Sequence, residues 1–240
     1  MASTHQYLEP LIVALDDSGT HEESDVSVLA GFMGLQSSWA DFEYDWEVMP
    51  AVHEIPYYRS SPCAQGTGPF SKLTLSERQL LHQGVVTQIA SSRLMPVGIS
   101  TWRPDGVDPV AALCECYRWI VWRLGTSRRF SRWPIRLVIE NSPDAGRLST
   151  YHAALMNNPA YAPIRGRFTG PEFRAKTESL YVQAADVIAY ELYLDTQRTF
   201  YTPSTRPTRK SWQVLCAHSD RTHGLIMHLG KGDPEPDVES

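Results

Sequence analysis

Three short stretches of this chain each set an acid against an apolar run. They are L-I-V-A-L-D-D-S-G (Leu11 to Gly19), L-V-I-E (Leu137 to Glu140) and Y-V-Q-A-A-D-V-I-A-Y (Tyr181 to Tyr190). A carboxylate held against hydrophobic surface is costly unless a cation or a proton compensates it. Asp16, Glu140 and Asp186 come from distant parts of the sequence, and their common pattern points to a shared divalent cation. Carboxylate oxygen and water are the donors Mg²⁺ prefers, and Mn²⁺ accepts them as well. A metal pair roughly 3.5–4 Å apart can activate water and stabilise the leaving oxygen of a phosphodiester. Without metal, three clustered acids repel one another and raise their own pKa values.

Each acid also has a plainer reading. Asp16 and Asp17 precede Ser18-Gly19, and Asp-Ser-Gly favours a turn on its own. Successive strand side chains alternate faces, so only one of the two is expected to point at a common centre. Glu140 precedes Asn141-Ser142-Pro143-Asp144, a natural turn, and its plain reading is a strand-end acid in water. In open α/β sheets, however, ligands gather beyond the strand ends. Asp186 falls on the helical stripe of Val182, Ala185, Ala189 and Tyr193, which faces a core. An acid there needs a partner, either a metal or a buried salt bridge such as one to Arg174. Glu115 lies opposite the apolar face of its helix and is read as exposed. Asp17, Asp144 and Glu178 are further candidates for a fourth ligand, and His53 for a proton shuttle or substrate contact.

The elements that must position these acids follow from periodicity. Leu11 to Leu15 reads as a buried strand and Val26 to Leu35 as a second, hairpin-linked to it. Trp39, Phe42, Trp46 and Met49 recur at helical spacing up to Pro50. Tyr57 to Ser71 is rich in Pro, Gly and Ser and reads as a flexible loop. T-L-S-E at Thr74 opens a helix with a capping box, to Ser91. Strands are expected at Leu94 to Thr101, Ile135 to Glu140 and Ile164 to Thr169. Helices are expected at Pro109 to Leu124, Leu148 to Met156 and Leu180 to Thr196. Thr202 to Ser211 reads as irregular and basic, and the chain from about residue 230 as a disordered tail. Strands that begin as a hairpin and then alternate with helices imply an α/β fold, a mixed sheet covered by helices in a single domain over 1–240.

Composition narrows the partners. The chain has 240 residues, 42% hydrophobic and 20% charged, enough for one large domain. No apolar run approaches the roughly 20 residues of a membrane span, and the N-terminus lacks the pattern of a secretory signal. No membrane partner is expected, and a cytoplasmic location is. Cys63, Cys114, Cys116 and Cys216 contain no C-x-x-C pair and read as reduced. The net charge of −5 is unevenly spread: residues 1–58 carry eleven of the 27 acids and no Lys or Arg. Eighteen of the 22 basic residues are arginine, with clusters at Arg128, Arg129, Arg132 and Arg136, at Arg165 and Arg167, and at Arg206, Arg209 and Lys210. Arginine forks suit phosphate oxygens, so Arg128, Arg129, Arg165, Arg167, Arg209 and Lys210 are candidates for holding a nucleic-acid backbone; the plain reading is a solvated surface of paired charges. Trp102, Tyr117, Trp119, Trp122 and Trp133 lie among the arginines, as stacking surfaces or as core. Cys216, His218, His223 and His228 do not match zinc spacing, and neither G-x-S-x-G nor a P-loop occurs.

At these residues the chain resembles the bacterial domain-of-unknown-function family numbered thirty-eight hundred, related to RNase H-like nucleases. The resemblance runs through Asp16-Asp17-Ser18-Gly19, Val26 to Gly34, Trp39 to Trp46, His53-Glu54, Glu140 and A-K-T-E-S-L-Y-V-Q-A-A-D-V-I-A (Ala175 to Ala189). Its most specific piece is Gln183-Ala184-Ala185-Asp186-Val187-Ile188-Ala189, and it spans most of residues 11–195. Asp17 stands where the family usually has Glu, and Val182 where it usually has Leu. The resemblance implies an RNase H-like mixed sheet with helices packed on its faces. It also implies two divalent ions, Mg²⁺ or Mn²⁺, held by Asp16, Glu140 and Asp186, with Lys176 and Gln183 nearby. The expected activity is phosphodiester hydrolysis of RNA, DNA or a hybrid. Two other classes fit the same sequence: an RNase H-like nucleic-acid or protein-binding module without catalysis, in a mobile-element or antiphage system, and a hydrolase of small phosphate esters.

Overall fold

The computed structural model describes residues 8–46, 54–103, 106–201 and 208–229. The apolar run at the start becomes strand β1 (Leu11–Ser18), which pairs antiparallel with β2 (Val26–Leu35) as a hairpin. β2 pairs antiparallel with β3 (Met95–Trp102). On its other side β1 pairs in parallel with β4 (Ile135–Glu140), and β4 in parallel with β5 (Glu172–Arg174). A sixth strand, β6 (Leu225–Leu229), runs parallel to β3, giving the order β5-β4-β1-β2-β3-β6. The fold is α/β, with the mixed, helix-covered sheet expected of an RNase H-like protein.

Seven helices cover this sheet among the described residues: α1 (Gln36–Trp46), α2 (Ser60–Gln65), α3 (Leu75–Ser91), α4 (Pro109–Thr126), α5 (Ala145–Asn157), α6 (Leu180–Thr196) and α7 (Lys210–Thr222). Alternation along β1 divides the interior in two. Leu11, Val13 and Leu15 pack under α4 and α5, while Ile12 and Ala14 face α6 and the remaining helices. Residues of β1, β2 and β4 are buried on both faces, which explains their unbroken apolar runs. α6 lies across β1 and β2 and is buried along most of its circumference, Asp186 and Glu191 included. The Thr74–Glu77 capping box opens α3 as expected.

Three expectations change. Ile164 to Thr169 is not a strand: Arg165–Arg167 forms a 3-10 turn, and only Phe168 makes an isolated bridge to Ile135. Ile164 is instead a core residue packed where Gly125 leaves room, which accounts for an apolar residue outside a strand. The pairing strand is β5, four residues further on than Phe168. The stretch 57–71, read as a loop, holds α2 and a 3-10 turn at Gly68–Phe70, its Cys63 and Phe70 buried in the core. Of Thr202 to Ser211, expected to be irregular, Lys210 and Ser211 already belong to α7, and the stretch after α7, given no element from the sequence, supplies β6. Pro50, residues 202–207 and the tail from residue 230 lie outside the described residues.

Candidate metal centre

β1 and β4 run side by side in the same direction, with Leu15 opposite Ile139. Their next residues, Asp16 and Glu140, therefore emerge together at one rim of the sheet. Both follow the alternation of Ala14 and Val138, so both face α6. Beyond β1 the chain turns through Gly19, whose φ of +75° is open to glycine; a Cβ there would also lie 2.1 Å from the Val26 carbonyl oxygen. Buried Arg103 braces this turn by donating to the carbonyls of His21 (2.6 Å), Glu22 (2.9 Å) and Ser24.

Lys176 occupies the middle of the rim. Its Nζ lies 3.0 Å from Asp16 Oδ2, 2.9 Å from Glu140 Oε2 and 2.8 Å from Asp186 Oδ1. β5 delivers it: Arg174 pairs with Glu140, and the Asn141 N–H donates to the Arg174 carbonyl at 2.9 Å, so Lys176 comes just past the strand ends. Asp186 is thus compensated by lysine rather than Arg174, whose guanidinium pairs with Glu172. The second Asp186 oxygen, Oδ2, accepts the Ser60 N–H at 2.5 Å. Gln183, one turn earlier on α6, grips the same two segments. Its Nε2 donates to the Lys176 carbonyl at 2.7 Å, and its Oε1 accepts the Tyr58 N–H at 2.9 Å and the Trp46 indole at 3.3 Å. The Gln-x-x-Asp spacing is what lets one helical face hold both.

Asp16 Oδ1 is buried and receives no hydrogen bond. Asp16, Asp17 and Glu140 each offer an oxygen, and these lie within 4.8 Å of one another, the one such group of metal-ligating side chains among the described residues. Oxygens around one divalent ion sit about 2.0–2.6 Å from it, so this spread is that of a single coordination sphere. An all-carboxylate donor set with an orphaned buried oxygen fits Mg²⁺ or Mn²⁺. Asp17 joins despite the strict alternation expected of strands, its Oδ2 accepting the Thr20 hydroxyl at 2.8 Å.

The electrostatics are those of an acid cluster that Lys176 compensates only in part. Burial, with Glu140 and Asp186 adding repulsion, raises the Asp16 carboxyl well above its ordinary range even though Lys176 opposes this. Burial also raises Asp17, against the Thr20 hydrogen bond. Burial acts on Glu140 in the same direction, but its hydrogen bond to Asp16 and the Lys176 charge outweigh it and hold Glu140 low. Of the two carboxyls, Asp16 is therefore the one pushed toward its neutral form. Burial disfavours the Lys176 ammonium, yet Asp16, Asp186 and Glu140 together raise its pKa.

A cleft of about 490 Å³ opens over these residues. Asp144, half-buried at the start of α5, lines it; so do Tyr190 and Arg59. The exposed Arg59 guanidinium makes no ion pair among the described residues and helps lower Glu140. Sequence reasoning overlooked both Arg59 and the Ser60 amide. The one signal for Arg59 was its place as the first basic residue after 58 positions without any. Glu178 is exposed and lines a different pocket, and His53 lies outside the described residues.

The other basic candidates divide by position. Arg128 and Arg129 precede β4, and Arg165 and Arg167 adjoin its first residue through Phe168, so all four sit at the rim opposite the acids. Arg129 donates to the carbonyls of His223 (2.9 Å) and Thr222 (3.1 Å), closing the end of α7. Arg167 does the same for α4 through Leu124 (3.2 Å), Gly125 and Phe130, and Arg165 reaches the Asn158 carbonyl at 3.5 Å. Arg209 and Lys210 lie on the site's side, along a groove of about 440 Å³ that shares Tyr190 with the cleft. Arg209 grips buried Glu191 through two bonds of 3.0 and 2.9 Å. Tyr117 is buried in the core on α4, Trp119, Trp122 and Trp133 are half-buried against that core, and Glu115 is exposed, paired with Arg118 at 2.8 Å. Cys216, His218, His223 and His228 form no metal-ligating group among the described residues: His218 bonds the Leu94 carbonyl and His228 the Ser100 hydroxyl. No helix among the described residues is long and apolar enough to cross a membrane.

No protein-family model matches this chain, and no curated protein matches it.

Proposed function

We propose that this chain is a divalent-metal-dependent phosphodiesterase that cleaves nucleic acid, with Asp16, Asp17 and Glu140 as the ligands of Mg²⁺ or Mn²⁺. The observation that carries the reading is the buried, donorless Asp16 Oδ1 amid carboxylates from two parallel strand ends. A divalent ion in that place supplies an activated water and charge neutralisation at a phosphoryl oxygen. The protein's own groups have separate tasks. Asp186 and Gln183 fix Lys176 and the backbone at Tyr58 and Ser60. Lys176 holds the acids at their spacing against their mutual repulsion. Arg59, at the cleft and without an ion pair among the described residues, offers a fork for phosphate oxygens. Tyr190 places a ring where the cleft meets the Arg209–Lys210 groove, a surface on which a base can stack. A groove continuing from the cleft favours a polymer over a small ester. The resemblance to the family numbered thirty-eight hundred supports the same reading.

One observation favours a second reading. Lys176 already neutralises part of the cluster, as a binding module without catalysis would require. The deciding experiment offers labelled single-stranded, duplex and hybrid substrates to purified protein with Mn²⁺, Mg²⁺ or EDTA. Cleavage that EDTA and Asp16→Asn both abolish is expected. Salt-sensitive binding without metal-dependent turnover would favour the module, and turnover of small phosphate esters alone would exclude a polymer substrate.

A further inference from the structure

We infer that Lys176 is a built-in replacement for one of the two cations of a two-ion site, so that this centre takes a single divalent ion. The inference rests on the metal reading above and deepens it. The Lys176 ammonium touches Asp16, Glu140 and Asp186 at 2.8–3.0 Å, one oxygen from each. These are the three acids that the resemblance assigns to metal, so the place their oxygens enclose is already held by a cation. A second divalent ion there would have to displace the ammonium or stand beside it, and like charges at such distance repel strongly in a buried setting.

Lys176 is also not free to leave. Its side chain is 6% exposed, and its carbonyl is tied to Gln183 Nε2. Asp186 is equally committed, since its remaining oxygen receives the Ser60 N–H. Turning toward a metal beside Asp17 would strand that buried donor. What remains is the donorless Asp16 Oδ1, with Asp17 and Glu140 beside Asp16 and one oxygen of each of the three within 4.8 Å of the others. The rim thus divides into a lysine place, bounded by Asp186, and an ion place, bounded by Asp17, with Asp16 and Glu140 shared between them.

The test is to count Mn²⁺ bound to the purified full chain, by calorimetry and by electron paramagnetic resonance. Wild type is expected to bind one ion without a coupled-pair signal. Asp186→Asn is expected to bind one ion with affinity within about threefold of wild type, whereas Asp17→Asn weakens it by more than about tenfold. Lys176→Met vacates the lysine place and is expected to bind two ions. Should Lys176→Met fail to fold, the wild-type count and the Asp186→Asn affinity still decide. Two ions in wild type, a tenfold loss in Asp186→Asn, or a folded Lys176→Met that still takes one ion would overturn the inference and leave the metal reading standing. A wild type that binds neither Mn²⁺ nor Mg²⁺ would overturn both.

Discussion

Gln183 Nε2 donates to the Lys176 carbonyl at 2.7 Å, so the helix bearing Asp186 also fixes the backbone of the lysine that Asp186 meets. Replacing Gln183 with Leu keeps the volume and removes every polar contact. The Tyr58 amide and the Trp46 indole N–H would then be buried without acceptors, at about 1–3 kcal/mol each. Gln183→Leu is expected to lower the urea midpoint by an amount that reflects at least one such group. A loss below about 0.5 kcal/mol, the range of ordinary surface changes, would show that the clamp is not built as described.

The raised Asp16 carboxyl has a sign that can be worked out. Folding favours its neutral form, so the metal-free fold is most comfortable below the ordinary carboxylate pKa near 3.9 and loses stability as pH rises toward the raised folded value. Asp16→Asn keeps the neutral shape and removes that cost. In EDTA at pH 8 the variant is expected to be the more stable by about 0.5–2 kcal/mol, a stability-for-function exchange common at active sites. The gap should narrow at pH 5. The same variant should lose the rise in Tm that Mn²⁺ gives wild type. A variant less stable than wild type in EDTA at both pH values would contradict the upward shift of the Asp16 carboxyl.

The sheet was legible because its strands are buried on both faces. Unbroken runs such as Leu11 to Leu15 and Ile135 to Ile139 leave little choice of structure. Asp186 was legible for a related reason, an acid on an otherwise apolar helical face. The short edge strands were not. β5 has three residues, among them Glu172 and Arg174, and is held by backbone pairing to β4 rather than by side-chain pattern. Lys176 was flagged only by resemblance, since a lysine two residues beyond such a strand has no periodicity to mark it. The Ser60 amide carries no side-chain signal at all, and α2 was hidden by composition that favours loops. Asp17 was legible only as a further candidate ligand, because strand alternation favours one acid of the Asp16-Asp17 pair.

Glu191 gives a pH dependence independent of any metal. Its carboxylate is fully buried, which would raise its pKa, but hydrogen bonds from His82 at 3.0 Å and from Arg209 outweigh burial and lower it. Stability from the charged form is therefore complete above the unfolded value near 4.3 and is lost as pH falls through the lowered folded value. Glu191→Gln is expected to cost about 1–3 kcal/mol at pH 7, moderated because the Arg209 side chain is 45% exposed. The difference should persist at pH 5 and shrink on acidification toward about pH 3. A constant difference across that range would show that packing, not charge, sets the cost.

The two rims of the sheet predict where a nucleic acid runs. Arg59 stands at the acid cleft without an ion pair among the described residues, while Arg128 and Arg129 lie beyond the opposite ends of β1 and β4. Leu11 to Asp16 spans about 17 Å at the strand rise, so the far arginines are well outside contact with a phosphate at the acids. Arg59→Ala is expected to raise KM for a labelled substrate about tenfold and to reduce the salt slope of binding by about one phosphate contact. Arg128→Ala should leave both within about twofold, since at that distance its charge is screened at physiological ionic strength. Arg129→Ala should instead lower thermal stability, because it releases the Thr222 and His223 carbonyls that end α7. If Arg128→Ala weakened binding as much as Arg59→Ala, the strand would have to cross both rims, and the cleft at Asp16 would be only part of its path.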